Sequence, residues 1–264
     1  MKSNQYTIAK LKEEVSSMQL SELADFFSGE TRSGALKVRQ AREKLIALEL
    51  KAIEKYSQML EYEHRYNDKV VCGIDEVGRG PLAGPVIACA VILNDGHQFI
   101  GLNDSKQLSK QKRTLMYDAL TQSVTYAIGE ASVEEIDALN IYEATKLAMH
   151  RAIQQLPVQP EVLLIDAMNL DTGLIEESII KGDTKSISIA AASVIAKVYR
   201  DQLMEEIHND FPFYDFKHNA GYGTKKHIEG LKQYGITNHH RKSFEPIKSM
   251  LKTEGNAKTI TKQS

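Results

Sequence analysis

The feature that most constrains the fold is an apolar run that ends in two adjacent carboxylates and a glycine-rich turn. Residues 70–74 read Val-Val-Cys-Gly-Ile, Asp75 and Glu76 follow, and a Gly-Arg-Gly turn occupies 78–80. A short apolar run of this kind predicts a buried strand. Carboxylates at its exit can bind hard divalent cations, which prefer oxygen ligands, and the glycines let backbone approach another molecule closely. The pattern predicts a metal-dependent site that acts on a phosphate backbone.

Two other interpretations of the same residues have to be weighed. An Asp-Glu pair before a glycine-rich turn is often a solvated loop, because short motifs give frequent false positives. The glycines at 78, 80 and 84 also resemble a dinucleotide-binding turn, but such a turn must open a helix. Here Pro81 removes an amide donor and Pro85 begins an apolar run, 86–93, which predicts a second buried strand. The context argues against a dinucleotide site and leaves the solvated loop open.

Composition favours a globular protein with a substantial core. The chain has 264 residues, of which 42% are hydrophobic, and a chain of this length can bury a large apolar interior. No stretch reaches the roughly 20 apolar residues of a membrane span, and the N-terminus lacks the apolar segment of a secretory signal. We therefore expect a cytoplasmic protein. Cys72 and Cys89 lie in the two predicted strands, so we expect reduced, structural thiols.

Charge is nearly balanced overall but not along the chain. The sequence has 33 basic and 35 acidic residues. Between Lys217 and Lys252, however, eight Lys or Arg stand against only two acids, Glu229 and Glu245. A local basic excess of this kind can follow a phosphate backbone. It is equally typical of a solvated face, and charge alone does not separate the two.

The chain divides into a helical part and a mixed part. Residues 1–69 lack proline and have helical periodicity, with one long helix expected from Ala35 to about Tyr66. Strands are then predicted at 70–75, 85–93, 124–130 and 162–165, and helices at 109–121 and 140–156, with a capping box at Ser132 and Glu135. The order predicts a mixed α/β domain over 70–252. The polar segment 253–264 is predicted to be a disordered tail.

Two further acids follow predicted elements. Asp166 comes directly after the apolar strand 162–165, as Asp75 follows its own strand, so both are expected at the same end of one sheet. Asp183 precedes the helix 186–197, which is rich in small residues and suited to close packing on a sheet. Taken singly, Asp166 fits a solvated turn and Asp183 fits an acid that interacts with a helix dipole.

Several separated segments together resemble the ribonuclease HII family, the type 2 ribonucleases H, across residues 70–250. The matching segments are Asp75–Pro85, Asp104–Ser109, Leu164–Ala167, Lys181–Asp183 with the helix to Lys197, Gly221–Thr224 and His240–Phe244. The resemblance implies an α/β fold with a ribonuclease H-like mixed central sheet flanked by helices. The helical residues 1–69 would be an N-terminal extension to it.

The resemblance also implies roles for particular residues. Asp75, Glu76, Asp166 and Asp183 match the family's four metal-binding carboxylates, which would hold two Mg²⁺ or Mn²⁺ ions for an in-line displacement. The turn Gly78, Arg79 and Gly80 would meet the ribonucleotide and its 2′-hydroxyl, and Tyr222 would pack on the neighbouring sugar. Lys106 and Lys181 are candidate phosphate contacts, or else solvated lysines. Asp201 is assigned to helix structure or to support of the acids.

The implied activity is hydrolysis on the 5′ side of a ribonucleotide, in RNA–DNA hybrids and at single ribonucleotides embedded in duplex DNA. Two alternatives remain. Ribonuclease HIII shares the fold and acids but generally lacks the Gly-Arg-Gly turn and the tyrosine. A non-catalytic hybrid-binding protein would need the basic region but not four acids. No membrane contact and a monomeric state are also expected.

Overall fold

A computed structural model of the chain describes residues 2–96 and 98–252. The predicted tail, 253–264, lies outside the described residues. The chain divides into two compact units, Met1–Gln58 and Met59–Ser264, and each is treated separately below. Within the described residues no helix combines the length and the apolar character needed to cross a membrane.

The first unit is helical, as predicted. It contains α1 (Ile8–Glu14), α2 (Leu20–Phe26) and α3 (Ser33–Met59). The Thr7 hydroxyl accepts a hydrogen bond from the Lys10 amide at the start of α1, and a capping box formed by Gln19 and Glu22 starts α2. The helices enclose a small apolar core of Leu11, Val15, Leu23, Phe26, Phe27, Ala35, Val38 and Ile46.

The prediction of one continuous helix from Ala35 to Tyr66 is wrong at its C-terminal end. Helix α3 ends at Met59, and a separate turn, α4 (Glu61–His64), opens the second unit. Glu63 Oε1 accepts hydrogen bonds from the Ser186 and Ser188 hydroxyls and from the Ser188 amide. These bonds to a distant segment hold α4 in place. Periodicity within 35–66 carries no sign of such partners.

The second unit is built on a mixed five-stranded sheet, which confirms the predicted fold class. Its strands are β1 (Val71–Val77), β2 (Val86–Ile92), β3 (Thr125–Ala131), β4 (Val162–Asp166) and β5 (Ile175–Ile179). Their order is β3-β2-β1-β4-β5. The pairs β1–β2 and β2–β3 are antiparallel, whereas β1–β4 and β4–β5 are parallel. The four strands predicted from sequence are all present, within one or two residues at their ends.

The edge strand β5 was missed by the sequence analysis. It reads Ile-Glu-Glu-Ser-Ile, and only its last residue, Ile179, is fully buried. A short edge strand with one buried side chain shows neither an apolar run nor a clean alternation. Its pairing with β4, and not its own composition, makes it a strand.

Helices cover both faces of the sheet. They are α5 (Lys110–Ser123), α6 (Val133–Leu139), α7 (Ile141–Gln154), α8 (Ile187–Asp210), α9 (Phe216–Asn219) and α10 (Lys225–Tyr234), and residues 247–252 are also helical. The predicted capping box at Ser132 and Glu135 is present at the start of α6. Helix α8 runs well past the predicted 186–197. Cys72 and Cys89 are buried free thiols, as expected.

Candidate active site

Two of the predicted acids lie at the ends of adjacent parallel strands. Ile74 of β1 pairs with Ile165 of β4, so the next residues, Asp75 and Asp166, are neighbours across the two strands. Because side chains alternate along a strand, Asp75 shares the sheet face of Gly73, the face covered by α8. Asp75 is 5% exposed. The parallel pairing therefore places these two carboxylates together at the predicted end of the sheet.

A tight turn after β5 brings in the third acid. Lys181 has a left-handed backbone (φ 58°), and Gly182–Thr184 then forms a 3-10 turn before the cap of α8 at Ser186. The Gly182 amide donates a 2.7 Å hydrogen bond to Asp166 Oδ1. A Cβ at position 182 would lie 2.6 Å from Ile189 Cδ1 and 3.4 Å from Asp166 Oδ1. Glycine at 182 thus lets the turn carrying Asp183 close onto Asp166.

The acids perturb one another. Burial raises the pKa of Asp75 well above its usual range, and the charges of Glu76 and Asp166 raise it further. Burial also raises the pKa of Glu76 and of Asp166. The pKa of Asp183 is raised to about 6 by burial and by the charges of Asp104 and Asp166. Buried acids that raise one another's pKa are typical of sites that bind cations.

Two cationic side chains face this group. Arg79 Nη1 lies 3.5 Å from Glu76 Oε1. The charge of Lys106 lowers the pKa of Glu76, Asp166 and Asp183 against the effect of burial. Lys181 is exposed, and among the described residues no ion pair joins its side chain to the acids. The structure thus brings Arg79 and Lys106 to the site and leaves Lys181 at its edge.

Asp104 is a member of this group that the sequence analysis did not select. Its charge raises the pKa of Asp183, and its Oδ1 accepts from the Lys106 amide at 2.9 Å. Asp104 opens one of the segments that match the family, but it follows no apolar strand. The local pattern that singled out Asp75 and Asp166 was therefore missing at 104.

The Gly78–Gly80 turn and Tyr222 lie side by side on the surface next to the acids. Gly78 has a positive φ of 95°, which favours glycine. A Cβ at Gly80 would lie 3.3 Å from Tyr222 Cε1, so the tyrosine ring rests against the turn. Tyr222 is 50% exposed. Gly78 is buried, whereas Arg79, Gly80 and the tyrosine ring are exposed and open to a bound molecule.

Among the described residues, the remaining charged candidates make no ion pair with the four predicted acids. Of the eight cations between Lys217 and Lys252, seven are exposed and one, Arg241, is fully buried. Asp201 on α8 pairs with Lys197 at 2.6 Å and with Arg113 at 3.6 Å. These pairs connect α8 to itself and to α5.

The chemistry of the acid group fits divalent cations. Within the described residues no three His, Cys, Asp or Glu side chains stand close enough together to hold a metal ion as they are placed. Glu76 Oε2, however, is buried without a hydrogen-bond partner, and a buried polar atom without a partner is costly. An orphaned carboxylate oxygen beside other buried and half-buried carboxylates is the donor set that hard cations prefer.

Fold and site together define a class of protein. The ribonuclease H2 of Pyrococcus horikoshii has a similar fold, with a TM-score of 0.59 and 25% identity over 68% of this chain and 95% of that chain. A mixed sheet of this order with clustered acids at its strand ends is the architecture of a ribonuclease H-type nuclease.

The family is shown by sequence comparison. The profile of ribonuclease HII matches residues 72–247. A ribonuclease HII of Macrococcus caseolyticus is 80% identical over 264 residues, which cover 100% of both chains. One of Staphylococcus saprophyticus is 51% identical over 252 residues, covering 93% of this chain and 98% of the relative. The chain belongs to the ribonuclease HII family, and it is a type 2 ribonuclease H, a metal-dependent phosphodiester hydrolase.

Proposed function

We propose that this enzyme cuts the phosphodiester on the 5′ side of a ribonucleotide, in RNA–DNA hybrids and at single ribonucleotides embedded in duplex DNA. The products are a 3′-hydroxyl and a 5′-phosphate. The observation that carries the proposal is the adjacency of the buried acids to an open Gly-Arg-Gly turn with Tyr222 against it. An enzyme with this specificity belongs to ribonucleotide excision and genome maintenance.

Each residue has a defined part in this proposal. Asp75, Glu76, Asp166 and Asp183 hold the cations. Two Mg²⁺ or Mn²⁺ ions bound there would supply an activated water and neutralise the scissile phosphate. Lys106 and Lys181 contact phosphate oxygens beside the acids. Because water and not the 2′-hydroxyl attacks, no cyclic phosphate forms.

The turn at 78–80, exposed at Arg79 and Gly80, recognises the ribonucleotide. The backbone of Gly78 and Gly80, with the Arg79 side chain, contacts the 2′-hydroxyl that distinguishes RNA from DNA. Tyr222 packs on the following sugar and favours a deoxyribose there. This pair of contacts supports ribonuclease HII chemistry over that of ribonuclease HIII. Monomeric state and cytoplasmic location stay predictions.

The test is cleavage of an end-labelled DNA duplex that carries one ribonucleotide, with Mg²⁺, Mn²⁺ or a chelator. Wild type is expected to nick 5′ to the ribonucleotide with either ion and not with chelator. Asp75→Asn is expected to lose at least about a hundredfold in rate, because a metal-ligating oxygen is replaced. Asp118→Asn, an exposed acid of α5, is the matched control and should cut like wild type.

Other products would point elsewhere. A 2′,3′-cyclic phosphate end would contradict attack by water. Cleavage of a hybrid RNA strand without nicking of the single-ribonucleotide duplex would favour the specificity of ribonuclease HIII.

A further inference from the structure

Two arginines are buried in the second unit beneath the Gly-Arg-Gly turn. Arg200 lies on α8 and Arg241 lies between α10 and the helical residues 247–252. Their exposed fractions are 1% and 0%, and they are the two largest of the fully buried side chains. Burying a guanidinium group is costly unless its charge and its donors are satisfied.

Neither guanidinium pairs with a carboxylate in the part of the chain that the structure describes. Both donate to backbone carbonyls instead. Arg241 donates to the carbonyls of Gly78, Arg79 and Gly84. Arg200 donates to those of Ala83, Pro85 and Ala220, at 3.0, 3.0 and 2.8 Å.

Burial without a paired carboxylate lowers the pKa of both guanidinium groups. Burial lowers the pKa of Arg200 to about 10 and that of Arg241 to about 9, the latter also because Arg200 lies nearby. Both side chains therefore stay charged at neutral pH. A packed apolar side chain would fill the same volume without this penalty. What the arginines provide in return is a fixed set of carbonyl directions.

The carbonyl directions decide what the turn presents to a ligand. In a trans peptide the C=O and the following N–H point in opposite directions. The Gly78 and Arg79 carbonyls point inward to Arg241, so the amides of Arg79 and Gly80 point away from it. Neither amide donates to a backbone carbonyl within the described residues. Arg241 thus leaves two adjacent N–H groups facing outward.

Arg200 joins residues 83–85, which directly follow this turn, to the segment that carries Tyr222. It donates to Ala83 and Pro85 on one side and to Ala220 on the other. The Leu82 amide adds a 2.8 Å bond to the Gly221 carbonyl. Two separate loops are therefore held at one spacing, and Tyr222 rests on Gly80 at that spacing.

We infer that Arg241 and Arg200 are positioning residues of the ribonucleotide-reading site. Arg241 orients the amides of Arg79 and Gly80 toward the ribonucleotide, and Arg200 sets the distance between this turn and Tyr222. The inference rests on the proposed function and extends it: recognition of a single ribonucleotide depends on two side chains that never touch the substrate.

Lysine substitutions at the two arginines are expected to change kcat in different ways. Lysine keeps the positive charge but lacks the planar fork that binds several carbonyls at once. Arg241→Lys is expected to lower kcat about tenfold or more on both single-ribonucleotide and hybrid substrates, because both need the turn amides and small misplacements are expensive. Arg200→Lys is expected to lower kcat about tenfold more on the single-ribonucleotide duplex than on the hybrid, because it loosens the spacing to Tyr222.

A matched control separates positioning from loss of stability. Met149 is fully buried on the α7 side of the sheet, and Met149→Ala should lower the melting temperature without changing the ratio of the two kcat values. Amide exchange is measured on the same variants. Faster exchange is expected at 78–85 and 219–224, with strand 162–166 unchanged.

The outcomes distinguish this inference from the proposed function. A wild type that fails to nick the single-ribonucleotide duplex overturns the proposed function. The inference is overturned, while the proposed function stands, if the ratio of the two kcat values of Arg200→Lys stays within twofold of wild type. It is likewise overturned if this ratio equals that of Met149→Ala when the two variants have the same melting temperature. An unchanged kcat in Arg241→Lys overturns the positioning role inferred for Arg241.

Discussion

At the scale of single residues, a buried histidine pair has a defined proton arrangement. The Thr237 amide donates to His240 Nδ1 at 2.9 Å, so His240 carries its proton on Nε2. That proton is donated to His227 Nε2 at 3.1 Å, and His227 Nδ1 then donates to the Tyr222 carbonyl at 2.9 Å. Both rings are fully buried. This series of hydrogen bonds requires both imidazoles to be neutral, and its last acceptor is the backbone carbonyl of Tyr222.

This arrangement predicts a loss of stability in mild acid. Burial lowers the pKa of His240 to about 3 from 6.5. Below pH 6.5 His240 is protonated in the unfolded chain but stays neutral in the folded one. The free energy of unfolding is therefore highest above pH 6.5 and falls as the pH falls. At pH 5 the loss should be about 2 kcal/mol. Urea unfolding at pH 7.5 and pH 5 measures it, with His240→Gln as reference. Equal pH dependence in both proteins would contradict the assignment.

The acids of the site are expected to stabilise the folded protein only when cations are bound to them. The pKa of Asp183 is raised to about 6 by burial and by the charges of Asp104 and Asp166, so near pH 8 Asp183 is ionised and repelled by its acidic neighbours. Bound Mg²⁺ relieves this repulsion and should raise the melting temperature of wild type. Removing Mg²⁺ with a chelator should reverse the shift. Asp183→Asn should show a clearly smaller shift, and Asp118→Asn the full one. A shift independent of Asp183 would place the binding elsewhere.

At the scale of elements, two glycines set how closely helices approach the sheet. A Cβ at Gly73 of β1 would overlap the backbone of Ser188 and Ile189 in α8, and one at Gly129 of β3 would overlap Ala148 and Ala152 in α7. The two helices pack on opposite faces of the sheet. Backbone contact at Gly73 also brings the start of α8, and Asp183 before it, near Asp75.

Alanine at position 73 should therefore be strongly destabilising. The clash is with backbone, which cannot rotate away, so Gly73→Ala should cost about 3 kcal/mol of unfolding free energy. Gly173→Ala is the control, because a Cβ there meets nothing within 4 Å and only its positive φ of 83° is strained; it should cost about 1 kcal/mol. Denaturant unfolding measures both. Similar costs at the two positions would show that α8 can move away from β1.

At the scale of the whole molecule, the residues just before β1 matter for the second unit. Glu63 binds Ser186 and Ser188 at the start of α8, and the Tyr66 hydroxyl donates to Glu177 of β5 at 2.8 Å. These residues belong to the helical extension 1–69 predicted from sequence, and that boundary stays a prediction. Their bonds, however, are made within the unit that begins at Met59.

Truncation at two positions should distinguish the role of residues 1–58 from that of residues 59–69. A chain starting at Met59 should keep the stability of the second unit, whereas one starting at Val70 should lose about 2 to 4 kcal/mol, because it leaves Ser186 and Ser188 without their buried acceptor. Urea unfolding compares the two, with Glu63→Gln in the full chain as a point control. Both truncations should cut at the same position; a shifted cut would show that the extension places the substrate.

The sequence by itself determined four of the five strands, the acids at two strand ends and the start of one helix. Apolar runs that stop at Asp75 and Asp166 predict strands and strand-end acids, and Ser132 with Glu135 predicts a helix start, because such patterns are encoded within a few neighbouring residues. Only the tertiary structure decided which distant residues meet. Strand β5 is a strand because it pairs with β4, and Asp104 joins the site because it approaches Asp183. Arg241 is one of eight cations in a basic run, but it is buried because it binds carbonyls more than 150 residues earlier in the chain. Local periodicity carries no information on contacts at such separations.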